Sequence, residues 1–293
     1  GAINVTTRKP SFAPGSEVEL NYGNIGFVQA KASVTGPLFK NVAARASFSG
    51  TQRDGVLINT RTGDDVNDLN NLGLRGQVLF APSDRVAVTV AVDHTRQRPE
   101  GNTQVVAGVA PTLRAANRQY AAIAASLGYA SPSFNAFDRV TDIDTPMRSY
   151  QDLAGTSLNI DWRVGSGRLT ATTAYRVWDW KPSNDRDFIG LPITTVSAAY
   201  SYQNQWSQEV RYAATVTPHV GFVGGAFFFG QGIDSDPAFR QEQGSAAYAF
   251  LLAPSANAAS PIPASRVGPN IPRIIIAKTI LHRRWFRSGE LRA

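Results

Sequence analysis

The sequence predicts an all-β fold, an antiparallel transmembrane β-barrel, and three observations predict it. Segments of nine to twelve residues alternate apolar and polar side chains, a period of two that belongs to strands rather than helices. The gaps between them alternate short and long, with tight turns near 36–41, 82–85, 165–167 and 217–219 and long polar connections at 54–71, 94–152 and 181–205. The polar faces carry Ser, Thr, Asn and Gln with scattered Arg and Glu, not the dense Lys and Glu of a sheet facing bulk water. A membrane barrel has tight turns at one end, long loops at the other, lipid outside and a polar interior.

Each strand follows from its alternation. Ser16–Ile25 sets Val18, Leu20 and Tyr22 against Glu17, Glu19 and Asn21, and Phe27–Thr35 sets Val28, Ala30, Ala32 and Val34 against Gln29, Lys31 and Ser33. Gly36 and Pro37 break the run, as turn residues do. Val42–Gly50 continues with Val42, Ala44, Ala46 and Phe48 opposite Arg45, Ser47 and Ser49. Leu72–Phe80 opposes Leu72, Leu74, Val78 and Phe80 to Arg75 and Gln77, and Val86–Asp93 opposes four valines to Ala87, Thr89, Ala91 and Asp93. Ala154–Val164 places Leu158, Ile160, Trp162 and Val164 opposite Asn159, Asp161 and Arg163; Leu169–Asp179 returns with Leu169, Ala171, Tyr175 and Val177 on its apolar side. Trp206–Val216 opposes Val210, Tyr212, Ala214 and Val216 to Ser207, Glu209, Arg211 and Thr215, with Gln208 interrupting the apolar face. Val220–Phe229 is apolar on both faces, so its orientation is not readable. Tyr22, Phe27, Phe80, Trp162, Trp178, Trp180 and Trp206 lie near strand ends, where interfacial aromatic belts form. Within the longest connection, Gln119–Tyr129 is predicted as a short helix.

Composition narrows the class further. The 293-residue chain is 43% hydrophobic, too much for disorder. Its longest relevant apolar run, Val220–Phe229, has ten residues, whereas a spanning helix needs about 20. There is no cysteine, hence no disulfide, thiolate metal site or cysteine nucleophile. Of the net charge of +7, residues 273–293 supply +5 (six Lys and Arg against Glu290). The basic balance is a tail property and not a nucleic-acid footprint, so no nucleic-acid partner is expected. Gly1 opens into a strand-like segment without the basic and apolar stretch of a leader, which reads as a chain starting within a longer protein.

The segment Gly1-Ala2-Ile3-Asn4-Val5-Thr6-Thr7-Arg8-Lys9-Pro10 resembles the end of the plug domain of TonB-dependent outer-membrane receptors. Further matches follow in that family's order: Val34–Leu38, Arg53-Asp54-Gly55 with Asn59-Thr60, Leu74–Gln77 with Phe80–Ser83, Trp206–Arg211, and Val220–Phe229. The resemblance covers about residues 1–230. It implies residues 1–14 as the C-terminal end of the plug, 15–230 as N-terminal barrel strands with long outer loops, and 231–293 as an outer loop and an aberrant Pro-rich, basic tail. The resemblance implies that the nine strands make an incomplete antiparallel transmembrane β-barrel, part of one of about 22 strands. The resemblance further implies active uptake of a scarce ligand, most often a ferric siderophore, across the outer membrane of a Gram-negative bacterium. The partners are outer-membrane lipid and the TonB energy-transducing complex, the latter reached through plug sequence absent from this chain. The loops at 94–152 and 181–205 are the expected ligand contacts. A passive pore and a soluble β-rich binding module are the alternatives.

Residues 253–293 fit no strand pattern. Pro254, Pro261, Pro263, Pro269 and Pro272 suit an outer loop, and the basic stretch after them reads as an out-of-frame tail ahead of an amphipathic anchor built on Ile274–Ile280.

No residue pattern proposes catalysis or a cofactor. His94, His219 and His282 share no ligand spacing, and Asp64, Asp65 and Asp68 lack the spacing of a calcium loop. Asp142 with Asp144, and Asp185 with Asp187, read as solvated acidic residues. The glycines of 221–232 contain no phosphate-loop pattern, and no nucleophile elbow appears. Arg45, Arg75, Arg163, Glu209 and Arg211 are expected to face the lumen and to pair there with the plug or one another.

Overall fold

The structure is a computed structural model that describes residues 6–101, 103–217, 219–235, 240–247, 249–250 and 276–287. The first five residues of the plug-like motif, the proline-rich stretch 254–272 and the last six residues lie outside that set. The strands are β1 (Gly15–Tyr22), β2 (Val28–Phe39), β3 (Val42–Arg53), β4 (Leu57–Asn59), β5 (Asp65–Val66), β6 (Leu69–Ser83), β7 (Val86–Gln97) and β8 (Val140–Thr141). They continue with β9 (Arg148–Val164), β10 (Gly167–Ser183), β11 (Thr194–Ala198), β12 (Ser201–Thr217), β13 (Val220–Asp234), β14 (Arg240–Gln243) and β15 (Ile276–Arg287). Helix α1 (Tyr120–Ser126) lies in the longest connection, where the sequence predicts it.

The long strands form one antiparallel meander in the order β1-β2-β3-β6-β7-β9-β10-β12-β13-β15, each hydrogen-bonded to its neighbours. The nine strands expected from the sequence are all present in this path. The tight turns lie at one end, at residues 40–41, 84–85 and 165–166 and between Thr217 and Val220, and the long connections at the other. Strand β1 stops at Tyr22, short of the predicted Ile25, because Ile25 (φ 58°) and Gly26 (φ 60°) both adopt the left-handed conformation of a tight turn. Residues 276–287, read from sequence as part of a tail, form a strand paired with β13. The ladder also settles the face of β13. Phe222, Ala226 and Phe228 lie in the rows of Ala214, Val210 and Gln208, whereas Phe227 and Phe229 lie in those of Glu209 and Ser207.

The apolar faces do not form a core. Val18 is 71% exposed, Val34 56%, Val92 54% and Trp162 46%. Of the buried apolar side chains among the described residues, only Ala43 and Ala91 belong to the long meander strands. A sandwich in water would bury its valines against a second sheet. Here the valine face is the outer surface, as lipid requires. On it, Thr173 donates to Gln208, so the residue that interrupts the apolar face of β12 has its amide oxygen matched.

The register shows that the strands are staggered. One ladder row runs Val18–Ala32–Phe48–Leu74–His94–Ala154. The apolar part of β9 is instead Leu158–Trp162, four to eight positions further along (158 − 154, 162 − 154). An apolar band that stays level while rows climb across it is the geometry of tilted barrel strands. Phe80 and Trp162 lie on this outer face toward the tight turns, and the cross-strand pair Tyr175–Trp206 lies on it toward the loops. Trp178 and Trp180 depart from the expected belt. They follow Val177 and Asp179 by one residue, so the pleat turns them inward, where their rings stack at 5.4 Å and their indoles donate to Gln151 and Ser149.

Candidate functional site

The inner face is polar because every second residue of the wall strands points there. Arg75 and Gln77, Asn159 and Asp161, and Glu209 and Arg211 are each two residues apart and share this side. Asp93 is gripped from both flanks, by Arg75 Nη1 at 2.8 Å and by Arg176 Nη2 at 2.9 and 3.0 Å from its two oxygens. Asp161 accepts from Lys9 Nζ at 3.2 Å, Arg168 Nε at 3.0 Å and Thr170 Oγ1 at 3.2 Å. Asn159 Nδ2 donates to Thr172 Oγ1 at 2.8 Å.

Residues 6–14 cross this face. Gln77 Nε2, in a side chain only 6% exposed, donates to the Arg8 carbonyl at 3.1 Å, Ser11 N donates to Thr35 Oγ1 at 2.9 Å, and Arg8 pairs with Glu17. Between this segment and the wall lies a cavity of about 580 Å³, whose charged lining is Lys9, Arg75, Arg168 and Arg211 against Asp161 and Glu209. Four cations facing two carboxylates give it a positive balance.

Of the five lumen-facing residues expected from the sequence, Arg75, Glu209 and Arg211 meet on this cavity. Arg45 lies outside it and donates to Ser33 Oγ at 3.1 Å, and Arg163 lines a separate depression with Gly167 and Phe222. Sequence reasoning did not single out Lys9, Asp93, Asp161 or Arg176. A signal was present for one of them: Asp161 shares the polar face of its strand with Arg163, whereas the face of Asp93 carries only Ala87, Thr89 and Ala91 besides it.

The long connections build a second feature above the lumen. Ile189, Leu191, Ile193, Ala246 and Ala247 form a buried apolar cluster, with Val106, Tyr120, Leu127, Tyr129 and Phe250 packed on it. Four connections are knitted together. Asn59 Nδ2 donates to Ile143 O at 3.1 Å, Thr60 Oγ1 to Thr141 O at 3.2 Å, Arg61 Nη1 to Gly190 O at 2.9 Å and Arg118 Nη1 to Ala249 O at 2.7 Å. Strands β5, β4 and β8 add a small sheet to this cap, and β11 pairs with β14.

The acidic pairs are not solvated, contrary to the expectation from sequence. Asp142 is 8% exposed and Asp185 is fully buried. The Asp185 carboxylate accepts from the backbone N–H groups of Asp144, Thr145, Asp187 and Phe188 at 2.9 to 3.3 Å. It thereby ties residues 144–145 to the turn at 185–188. Asp187 accepts from Thr194 N at 2.8 Å, and Thr145 Oγ1 donates to Thr194 O at 2.9 Å. Burial, and then the neighbouring Asp185, push Asp187 up to about 7 and Asp144 up to about 6.

His94 lies on the outer face beside Asp152, with Nε2 3.2 Å from Oδ1. No group of three or more His, Cys, Asp or Glu among the described residues is arranged to hold a metal ion.

Wall, polar interior and knitted loops together define an outer-membrane type of β-barrel wall. No family model and no curated protein matches this sequence. Solved structures do. The ferripyoverdine receptor of the outer membrane of Pseudomonas aeruginosa aligns over 96% of this chain and 39% of its own, with a TM-score of 0.59 and 10% identity. The ferric yersiniabactin uptake receptor FyuA from Yersinia pestis aligns over 81% of this chain and 33% of its own, with a TM-score of 0.58 and 14% identity. The siderophore receptor PiuA from Acinetobacter baumannii aligns over 93% and 38%, with a TM-score of 0.56 and 11% identity. The resemblance read from the sequence therefore holds at the level of the fold, which is that of TonB-dependent siderophore receptors. The chain spans between a third and two fifths of the length of these receptors.

Proposed function

We propose that this chain is wall and loops of an active outer-membrane receptor that takes up a scarce ligand, a ferric siderophore being the class that the relatives' fold favours. In this reading residues 1–14 end the plug, 15–230 are wall and loops, and the plug is worked by the TonB energy-transducing complex. The observation that carries it is the segment 6–14 lying across a charged inner face, held by Lys9 on Asp161 and by Gln77 on the Arg8 carbonyl. A passive pore has no need of such a strap across its lumen.

Whole-cell uptake of radioiron siderophores by a receptor containing this chain tests the reading. Uptake that stops with a protonophore, and that falls when residues 99–147 are deleted, supports it. Uptake that persists without the proton gradient favours the passive pore. Unchanged uptake after the deletion removes the loops from ligand recognition.

A further inference from the structure

We infer that the inner face of β10, β12 and β13, on the loop side of the Asp93 ion pairs, binds an uncharged sugar ring, laid on Trp178 and rimmed by glutamine amides. The inference rests on the receptor reading above and names the chemistry of one group that its ligand carries.

The register places the parts. Leu153, Trp178, Gln203 and Ile233 share one inward row, and Gly155, Arg176, Gln205 and Gln231 share the next inward row toward the tight turns. Side chains of these two rows line a cavity of about 190 Å³, and the row of Trp180 contributes nothing to it. The cavity therefore opens on the side of Trp178 away from Trp180.

Trp180 backs the platform. The two indoles stack at 5.4 Å, 14° from parallel, and the Trp178 N–H is fixed on Gln151 Oε1 at 2.9 Å. The ring is thus held before any ligand arrives. On its open side, Arg176 is drawn sideways to Asp93, where both carboxylate oxygens accept from Nη2 at 2.9 and 3.0 Å. Gly155 lets it lie flat, because a Cβ there would stand 3.1 to 3.3 Å from Cγ, Cζ and Nε of Arg176. The guanidinium so placed leaves room below the indole.

The lining selects the ligand. Its one charged group, Arg176, is neutralised by Asp93. Gln231 Nε2 donates to Gln203 Oε1 at 3.2 Å, and the half-buried Gln205 amide has no hydrogen-bond partner among the described residues. An amide both donates and accepts, as a hydroxyl group does. A pyranose offers a face of C–H groups to an indole and a rim of hydroxyls to such amides, whereas a bare aromatic ring answers the indole alone. The volume lies below the roughly 300–1,000 Å³ of pockets for drug-sized ligands, so the site takes one ring of a larger molecule. The cavity under residues 6–14 is of another kind, since four cations line it. The ring belongs to a free oligosaccharide or to a sugar joined to a ferric chelate.

Isothermal titration calorimetry of a receptor containing this chain, in a detergent without a sugar headgroup, tests the site. The probes are cellotriose, the triuronate of the same linkage, a ferric trihydroxamate bearing one glucose, and the same chelate without glucose. Wild type is expected to prefer cellotriose to the triuronate, which identifies a glycan as the source, or the glucosylated chelate to the bare one, which identifies a sugar-bearing chelate. Trp178→Ala is expected to weaken the sugar-dependent binding about tenfold, Gln205→Leu about threefold to tenfold, Trp178→Phe less than Trp178→Ala, and Trp162→Phe on the outer face not at all. The wild-type preference supports the site even if Trp178→Ala does not fold. Equal affinity within both probe pairs, no binding of either glucose-bearing probe at millimolar concentration, or a preference unchanged in folded Trp178→Ala and Gln205→Leu overturns it. Uptake that stops with a protonophore while the sugar preference is missing defeats only the site. Uptake indifferent to the protonophore defeats the active-receptor reading and leaves a measured sugar preference standing.

Discussion

The wall and the cap of this chain solve opposite solvent problems with the same residue types. In the wall, Val18, Val34 and Val92 face outward while Asp93, Asp161 and Gln77 face inward and are matched. In the cap, Ile189, Leu191 and Ile193 are buried, as in any domain in water. The difference teaches that hydrophobicity alone does not locate a core. What decides is whether the apolar side meets hydrocarbon or water, and the chain switches between the two regimes within a few residues of β10 and β12.

That contrast yields graded outcomes. The largest effect is expected from Asp185→Ala, which strips the acceptor from four backbone N–H groups in a buried site. A loss of roughly 3–5 kcal/mol of cap stability is expected to appear as rapid protease cleavage within 99–147 and 184–200, with the wall's resistance to heat retained. Leu191→Ala follows, at about 2–5 kcal/mol for a core truncation, read by hydrogen exchange in the same loops. Both depend on the cap having a core of its own; a cap that tolerates them is merely draped loops.

On the wall, Val90→Arg is expected to cost about 2–4 kcal/mol if its site lies near mid-bilayer, measured by reversible unfolding in lipid vesicles. The same change on a face in water costs close to nothing, so the result separates membrane wall from soluble sheet.

A further effect is on pH. Asp144 and Asp187 hold their protons in the folded cap above the ordinary carboxylate range. The folded cap therefore binds more protons than the unfolded loops, and its stability falls as pH rises. The contribution is whole below the ordinary carboxylate range and is lost through about pH 6 to 7. Loop hydrogen exchange, corrected for intrinsic rates, is expected to be slower at pH 5 than at pH 8. Asp187→Asn is expected to flatten that dependence.

The wall was legible because period-two alternation survives wherever one face is wet and the other oily. It faded where both faces meet water: β9 begins at Arg148, not Ala154, and β12 at Ser201, not Trp206. The polar residues of those extensions, Gln151 and Gln203 among them, carry no signal of sidedness. The cap was largely illegible, since its cluster joins residues 189–193 to 246–247, a separation no local pattern encodes. Ile189, Leu191 and Ile193 do alternate, a short strand-like signal inside a stretch read as loop. Asp185 looks the same in sequence whether solvated or buried. The lumen was half legible, because alternation gives a side chain's face but not its partner, so Asp93 and Asp161 emerged as hubs only from the register.

The absence of native cysteine makes single-cysteine labelling of β7 the most direct test. Spin labels placed in turn at Val88, Thr89, Val90, Ala91, Val92 and Asp93, in lipid vesicles, report collisions with oxygen dissolved in hydrocarbon and with a water-soluble nickel chelate. High oxygen access at positions 88, 90 and 92, alternating with low oxygen access at 89, 91 and 93, is the expected result. Valine positions that are shielded from oxygen, or reached by the nickel reagent as freely as their neighbours, contradict a lipid-facing wall.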